Sequence, residues 1–413
     1  MLRKHTNMPI RSLMFGWEYP PLHLGGLGVA CQGLVKGLMR NGVHVTLVLP
    51  QASTTEDTTV IFPTQQCMNT VRVQSFLSPY EGTEHYEQRI KTLPAEIRHM
   101  YGSDLPQAVM HFAEMSVEMT KDVPTDVVHC HDWMTYGAGI RAANHHNRPL
   151  VTHIHATELD RTHFHPNQWI YDIERLGFEK ADTIIAVSNY TKNILVQHYG
   201  ITPDKIRVVH NGMSVERMEY DDTLRVQSGT LKRPMVLFLG RLTIQKGPIQ
   251  FLDMAAQVHA IKPDVTFVVA GDGNMMGEVI EHACVLGLQD CTLFTGQVNS
   301  VEAQHLYAQA DCFVMPSLSE PFGLVALEAI AQGTPVVLSN QSGVSEVVRH
   351  GFNVDFWDTE RMADCVLTIL RDAPLAEQLQ LQAPRSLQHL TWVNQGEHVR
   401  SIYENLLHNP IYT

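Results

Sequence analysis

The sequence predicts an α/β protein of two doubly wound parallel-sheet domains facing each other across a cleft. Three observations predict it. Short apolar runs alternate with amphipathic stretches along nearly the whole chain, as β-α-β units do. The alternation lapses once, near the middle. At 413 residues the chain also exceeds what one hydrophobic core supports, so two domains of roughly 200 residues are expected.

The elements follow in order. An apolar run from Ser12 to Trp17 reads as a strand, Leu27 to Arg40 as an amphipathic helix stopped by Gly42, and His44 to Leu49 as the next strand. The cycle recurs as strand Val127 to His131, helix Tyr136 to His146, strand Leu150 to His155, helix Trp169 to Lys180, strand Thr183 to Val187, helix Asn189 to Tyr199 and strand Ile206 to Val209. Leu77 to Val123 has a helical pattern but falls between strands, and is expected to border the acceptor side of the cleft. Between Asp221 and Pro234 a polar stretch with Gly229 marks the linker. Strands Met235 to Leu239, Thr266 to Ala270, Thr292 to Thr295, Cys312 to Met315 and Pro335 to Leu338 then alternate with helices. Trp392 to Leu407 follows no new strand and reads as a surface helix that packs back on the first domain. The expected division is 1–212, 213–388 and 389–413.

Composition narrows the function. The 44% apolar and 18% charged fractions fit a globular chain, and a net charge of −13 opposes a broad nucleic-acid footprint, which needs clustered Lys and Arg. Seven cysteines stand singly without C-x-x-C pairs, as thiols kept reduced in a cytoplasm do. Met1 to Ile10 lacks the apolar run of a secretory signal, and no stretch approaches the ~20 apolar residues of a membrane span. The expectation is a cytoplasmic protein.

Open parallel sheets bind ligands beyond the carboxyl ends of their strands, so the residues there are the candidates. After the first strand come Gly25 and Gly26 and then a helix, where glycine admits close backbone approach and free N–H groups meet a phosphate. A ligand-free tight turn is the alternative. Strand Met235 to Leu239 runs into Gly240 to Gly247, whose Arg241 and Lys246 supply the charge neutralisation a diphosphate leaving group needs; ordinary surface cations are the alternative. After strand Cys312 to Met315, Pro321 suits a helix start, which puts Glu320 at the N-terminal edge and Glu328 about 12 Å further along the axis. That span matches the reach from a hexose past a diphosphate to a ribose. Simple capping by Glu320 and solvation of Glu328 remain open.

His155 ends its strand and points at the cleft. The pairs His129/His131, His153/His155 and His163/His165 share strand faces and invite a metal, but no Cys or carboxylate completes a recognisable ligand spacing, and none is expected. Gly271 to Gly277 resembles a dinucleotide fingerprint in the wrong place for one, and reads as a structural turn.

Together, "FGWEYPP", "GGLG", "HCHDW", "HATELDR", "VSNYTK", "VVHNGM", "GRLTIQKG" and "SEPFGLVALEA" resemble, in this order and over nearly the whole chain, the retaining family 4 glycosyltransferases of the GT-B fold with its two Rossmann-like domains, above all the glycogen-synthase-like members. The resemblance implies a nucleotide-sugar donor, UDP- or ADP-glucose, whose diphosphate meets Arg241, Lys246 and Gly26. It places Phe322, Gly323 and Leu324 beside the donor and Glu328 on its ribose. Glu320 would contact the transferred sugar and His155 a hydroxyl near the reacting carbon. His131, Asp132, Glu158 and Arg161 would line the acceptor side. No metal or other cofactor is implied. The classical bacterial enzymes carry a Lys shortly before the paired glycines, where this chain has His23 and Leu24. The implied reaction is glucosyl transfer to an α-glucan or related soluble saccharide. A different sugar with a lipid or small-molecule acceptor, a nucleotide-sugar 2-epimerase and a non-enzymatic nucleotide-sugar-binding regulator remain alternatives on the same scaffold.

Overall fold

The computed structural model describes residues 9–19, 26–51, 68–74, 91, 104–213 and 233–408. Gly25, His23 and Leu24, most of the linker and residues 77–90 and 92–103 of the Leu77–Val123 stretch lie outside them.

The first lobe runs β1 (Arg11–Phe15), α1 (Gly26–Arg40), β2 (His44–Gln51), β3 (Met68–Gln74), α2 (Leu105–Thr120), β4 (Val127–His131), α3 (Trp133–His146), β5 (Leu150–Ile154), α4 (Glu158–Arg161), α5 (Gln168–Lys180), β6 (Thr183–Ala186), α6 (Asn189–Tyr199) and β7 (Ile206–Val208). Its strands form one sheet in the order β3-β2-β1-β4-β5-β6-β7, every pair parallel. Because successive strand residues face opposite ways, two cores result. Leu13, Phe15, Val128, Cys130 and Ile154 pack under one helical layer, and Met14, Val45, Leu47, Val127 and Val151 under the other.

The second lobe runs β8 (Met235–Leu239), α7 (Pro248–Ile261), β9 (Thr266–Ala270), α8 (Met276–Val285), β10 (Thr292–Gly296), α9 (Ser300–Gln309), β11 (Cys312–Met315), α10 (Leu324–Ala331), β12 (Val336–Ser339), β13 (Phe352–Val354), α11 (Thr359–Arg371) and α12 (Ala373–Ser386). Its sheet order is β10-β9-β8-β11-β12-β13, again parallel. Two doubly wound sheets are therefore present. Strands β3 and β13 carry no alternation clear enough to stand out in the sequence; each is an outer strand of its sheet.

Helix α13 (Trp392–His408) leaves the second lobe and lies on α1. The crossing is close because α1 carries glycines there: a Cβ on Gly33 would meet the Trp392 ring at 2.1 Å, and one on Gly37 the Trp392 carbonyl oxygen at 2.0 Å. Asn41 Nδ2 donates to the Val393 carbonyl and Arg400 donates to that of Asn41, tying the helix ends together.

The expectation for Leu77–Val123 falls largely on residues outside those described. The described end of the Leu77–Val123 stretch is α2, whose Leu105, Ala108, Val109, Phe112 and Ala113 pack into the sheet core. It is a crossover helix, and it contributes no residue to the cleft wall. Its apolar spacing binds it to the sheet.

Candidate active site

Between the lobes lies a cavity of about 1180 Å³, large enough for a nucleotide-linked sugar. Both lobes present the carboxyl ends of their strands to it. From the first come Gly26 and Leu27 at the start of α1, Asp132 after β4, His155 and Ala156 after β5, Arg161 of α4 and Asn211 after β7. From the second come Gly240, Arg241, Thr243, Gln245 and Lys246 after β8, Gly271 to Asn274 after β9, Gln297 and Val298 after β10, and Ser317 and Glu320 to Val325 after β11.

Lys246 Nζ pairs with Glu320 Oε2 at 2.5 Å, with the Glu320 side chain 8% and the Lys246 side chain 21% exposed. A cation and a carboxylate thus stand side by side on the cavity wall. Lys246 gets there through a 3-10 turn, Ile244–Lys246, closed by Gly247 at φ 70. A Cβ on Gly247 would lie 2.1 Å from the Pro316 carbonyl oxygen, so both its backbone angle and its surroundings demand glycine.

The helix after β11 starts later than its Pro321 suggests. Glu320 pairs with Ser342 as a parallel bridge. The Gly343 N–H donates to the Glu320 carbonyl and the Val344 N–H to that of Phe322. This pairing keeps 320–322 out of the helix, and α10 begins at Leu324 behind Gly323 at φ 105. The 12 Å helical spacing therefore does not apply across Glu320–Glu328. What the arrangement supplies instead is a helix N-terminus that lines the cavity through Gly323 to Val325, a ready site for an anion. Gly26 faces it, since a Cβ there would sit 3.6 Å from Leu324 Cδ1. Glu328, expected on the donor ribose, does not line this cavity; it lies on a separate small pocket with Ser300, Gln304 and Gln332, and the Tyr307 hydroxyl donates to its Oε2 at 3.4 Å.

On the first lobe, Asp132 holds φ 56, a region a non-glycine residue enters only under constraint. Its Oδ1 accepts from the His155 N–H at 2.7 Å, and its own N–H donates to the His153 carbonyl. The strand ends of β4 and β5 are so locked together. Burial pushes the Asp132 carboxyl up to about 6, against the pull of Arg161 and the His155 N–H. Arg161 reaches Glu158 at 3.2 Å and Glu174 at 2.7 Å, and Tyr199 donates to Glu174. Burial lifts Glu174 to about 7, with Arg161 opposing. Glu158 stands behind the wall formed by Arg161 and caps the Asn167 N–H. His131 is fully buried behind His155, its Nδ1 2.9 Å from His155 Nε2.

Nitrogens of His129, His131 and His153 lie within 4.8 Å of one another. The rings, however, stack: His129 on His131 at 4.6 Å and 27°, His131 on His153 at 5.0 Å and 30°. His129 and His153 are tilted at 44°, and their Nε2 and Nδ1 already face each other at 3.3 Å.

Sequence reasoning missed three features. The Gly271–Asn274 turn is structural, since Cβ atoms at Gly271 and Gly273 would meet the Gly240 and Leu242 carbonyl oxygens at 1.9 and 2.4 Å, yet it also lines the cavity. Its place after β9 was the available signal. Gln297 and Val298, after β10, carry the same signal. The contacts between lobes carry none: Ser319 Oγ donates to Asp160 Oδ1 at 2.6 Å and Ser188 Oγ to the Pro321 carbonyl at 2.7 Å. Glu346 accepts from the Asn189 and Tyr190 N–H groups at the start of α6.

Comparison with known proteins fits this architecture lobe by lobe. Residues 24–217 match the family described as Glycosyltransferase Family 4, and residues 221–386 the one described as Glycosyl transferases group 1. An uncharacterized glycosyltransferase of Methanocaldococcus jannaschii is 30% identical, covering 95% of this chain and 97% of its own. The glycogen synthase of Mycobacterium tuberculosis is 30% identical over 91% of this chain and 89% of its own. Sucrose-phosphate synthase from Thermosynechococcus elongatus shares the fold, with a TM-score of 0.77 at 20% identity, covering 97% of this chain and 99% of that one. With two matched lobes, full-length relatives and a cleft built from strand ends, the chain belongs to the family 4 glycosyltransferases of GT-B fold, among their glycogen-synthase-like members.

Proposed function

We propose that the chain moves a glucosyl, or more broadly a hexosyl, unit from UDP- or ADP-glucose to the end of an α-glucan or related soluble saccharide. The transfer retains anomeric configuration and uses no metal. The observation that carries this reading is the Lys246–Glu320 pair on the cavity wall.

Lys246, Arg241 and the α10 N-terminus neutralise the diphosphate as the glycosidic bond breaks. Glu320 accepts hydroxyls of the transferred sugar, and Gly26, Phe322, Gly323 and Leu324 close on the donor. Glu328, one helical turn beyond the α10 N-terminus, holds the ribose. His155 donates to a sugar hydroxyl near the reacting carbon. The departing phosphate takes the proton of the acceptor hydroxyl on the same face, so Glu320 need not become a nucleophile.

The acceptor side is read from charge. Asp132, Glu158, Asp160 and Glu174, all buried, surround the single guanidinium of Arg161. Such a surround favours uncharged hydroxyls over a phosphorylated acceptor.

The test is a panel of nucleotide sugars given to the purified chain with glycogen, short maltosaccharides or sugar phosphates. Release of UDP or ADP that depends on the neutral glucan is expected, at a rate unchanged by EDTA. Lys246→Ala and Glu320→Ala should each lower turnover about 10²- to 10³-fold while the fold survives in circular dichroism. Interconversion of the donor without acceptor would make the protein an epimerase, and wild-type rates in both variants would remove the pair from the reaction.

A further inference from the structure

We propose that Asp160 and Ser319 are positioning residues. Their hydrogen bond ties Glu320, on the donor side of the cavity, to Arg161, on the acceptor side, and so sets the spacing between the two substrates. The proposal rests on the reading of Glu320 and Arg161 as the residues that meet the transferred sugar and the acceptor.

Glu320 belongs to the second lobe by sequence and by its own bonds. Its N–H donates to the Gln341 carbonyl, the neighbouring Leu318 N–H donates to that of Gln245, and its carboxylate pairs with Lys246. The residues on either side of it, however, are held by the first lobe. Ser319 Oγ donates to Asp160 Oδ1 at 2.6 Å, and the Pro321 carbonyl accepts from Ser188 Oγ at 2.7 Å. A serine hydroxyl carries one proton, and Asp160 takes it. Tyr190, whose hydroxyl is 2.9 Å from Ser319 Oγ, therefore donates to Ser319 in turn. A carboxylate of the donor lobe is thus bracketed by bonds to the acceptor lobe.

Both ends of the Ser319–Asp160 bond are stiff. Asp160 Oδ2 accepts the Thr157 N–H at 2.8 Å and the Thr157 hydroxyl at 2.7 Å, so the carboxylate cannot turn without breaking the capping box of α4. Asp160 is 0% and Ser319 1% exposed, so neither exchanges its partner for water, and a buried bond to a carboxylate is among the stronger kinds. One residue further along each segment, Arg161 and Glu320 both line the cavity. A short bond between two rigid supports, beside the two residues that face the substrates, fixes the distance between them. Transfer between two bound molecules is sensitive to that distance, since a misplacement of about 1 Å costs about 10²-fold. A bond that only held the lobes together would alter stability and nucleotide affinity. One that sets the spacing also decides where the sugar goes. When the acceptor hydroxyl no longer meets the anomeric carbon, the oxygen of a water molecule bonds that carbon instead; the bond to the diphosphate breaks, and the nucleoside diphosphate leaves with one proton of the water.

The experiment uses the full-length chain with UDP- or ADP-glucose and short maltosaccharides, and measures transferred and free glucose side by side. Ser319→Ala and Asp160→Asn should each lower the ratio of transferred to free sugar about 10- to 100-fold, with the affinity for UDP or ADP in calorimetry little changed. The double variant should be no worse than the worse single one, because the shared bond is already broken. Ser319→Ala leaves the Thr157 cap intact and decides the matter by itself if Asp160→Asn does not fold. An unchanged ratio in Ser319→Ala, or losses that add in the double variant, would overturn the proposal. If the wild type transferred no sugar, glycosyl transfer would fall, and small-angle scattering would still decide whether the bond sets the spacing: a larger radius of gyration in Ser319→Ala supports it, and equal radii overturn it.

Discussion

His129, His131, His153 and His155 are held neutral by burial, with His129 and His155 pulled down to about 3. An unfolded chain protonates such rings as pH falls through about 6.5, which the folded chain resists. Their contribution to stability is therefore fully present above pH 6.5 and is lost as pH falls, by up to about 1.4 kcal/mol per pH unit for each ring. Asp132 and Glu174, raised by burial to about 6 and about 7, act in the opposite sense. They bind protons more tightly when folded, so their contribution is present below the ordinary carboxyl range and is lost as pH rises through those values. Asp160 is raised and His146 lowered by burial as well, so five rings stand against three carboxyls and outweigh them. The thermal midpoint should fall steadily from pH 7 to pH 5 in scanning calorimetry, and a flat or rising midpoint would show that these rings are not sealed from protons. Single residues at strand ends were legible in the sequence, because Arg241, Lys246, Glu320 and His155 follow apolar runs whose ends mark the ligand side. The histidine stack was only half legible. Alternation put the rings on one face, but nothing local announced Tyr403, 274 positions from His129.

Helices α1 and α13 meet through small residues, and the meeting can be tested one methyl group at a time. Gly37→Ala would drive a Cβ to 2.0 Å from the Trp392 carbonyl oxygen, a backbone atom that cannot swing aside. A loss of about 2 to 3 kcal/mol is expected in urea unfolding. Gly277→Ala, near the start of α8 with no atom within 4 Å of its added Cβ, should be neutral or stabilising by up to about 1 kcal/mol. Equal effects at the two sites would mean that α13 is not seated on α1 in solution. At this scale most of the fold was legible, since each buried strand and covering helix carries its own period. The exceptions have physical causes. The start of α10 slipped from Pro321 to Leu324 because 320–322 pairs with 342–344, a competition between distant segments that propensity cannot express.

Across the whole molecule, the lobes meet around the start of α6, where Val187 is buried in the apolar cluster of the second lobe and several polar contacts surround it. Glu346 accepts from the Asn189 and Tyr190 N–H groups, from the Asn189 side chain and from His210. Ser319 and Pro321 add bonds to Asp160 and Ser188. Glu346→Ala removes every bond to that carboxylate at once. The unliganded variant should show a larger radius of gyration in small-angle scattering, and its donor KM should rise more than its kcat falls, because closure then draws on binding energy. An unchanged radius would mean that other contacts set the opening. None of these contacts could be read from sequence, since each joins residues more than 130 positions apart.

Helix α13 also constrains how the polypeptide matures. It follows the whole second lobe in sequence, yet Trp392 fills the groove over Gly33 and Tyr403 reaches His129. During synthesis the first lobe emerges with that groove open and one end of its histidine row bare, and it stays so until translation has passed the second lobe. A fragment ending near residue 212 should therefore aggregate unless the missing helix is added back as a peptide.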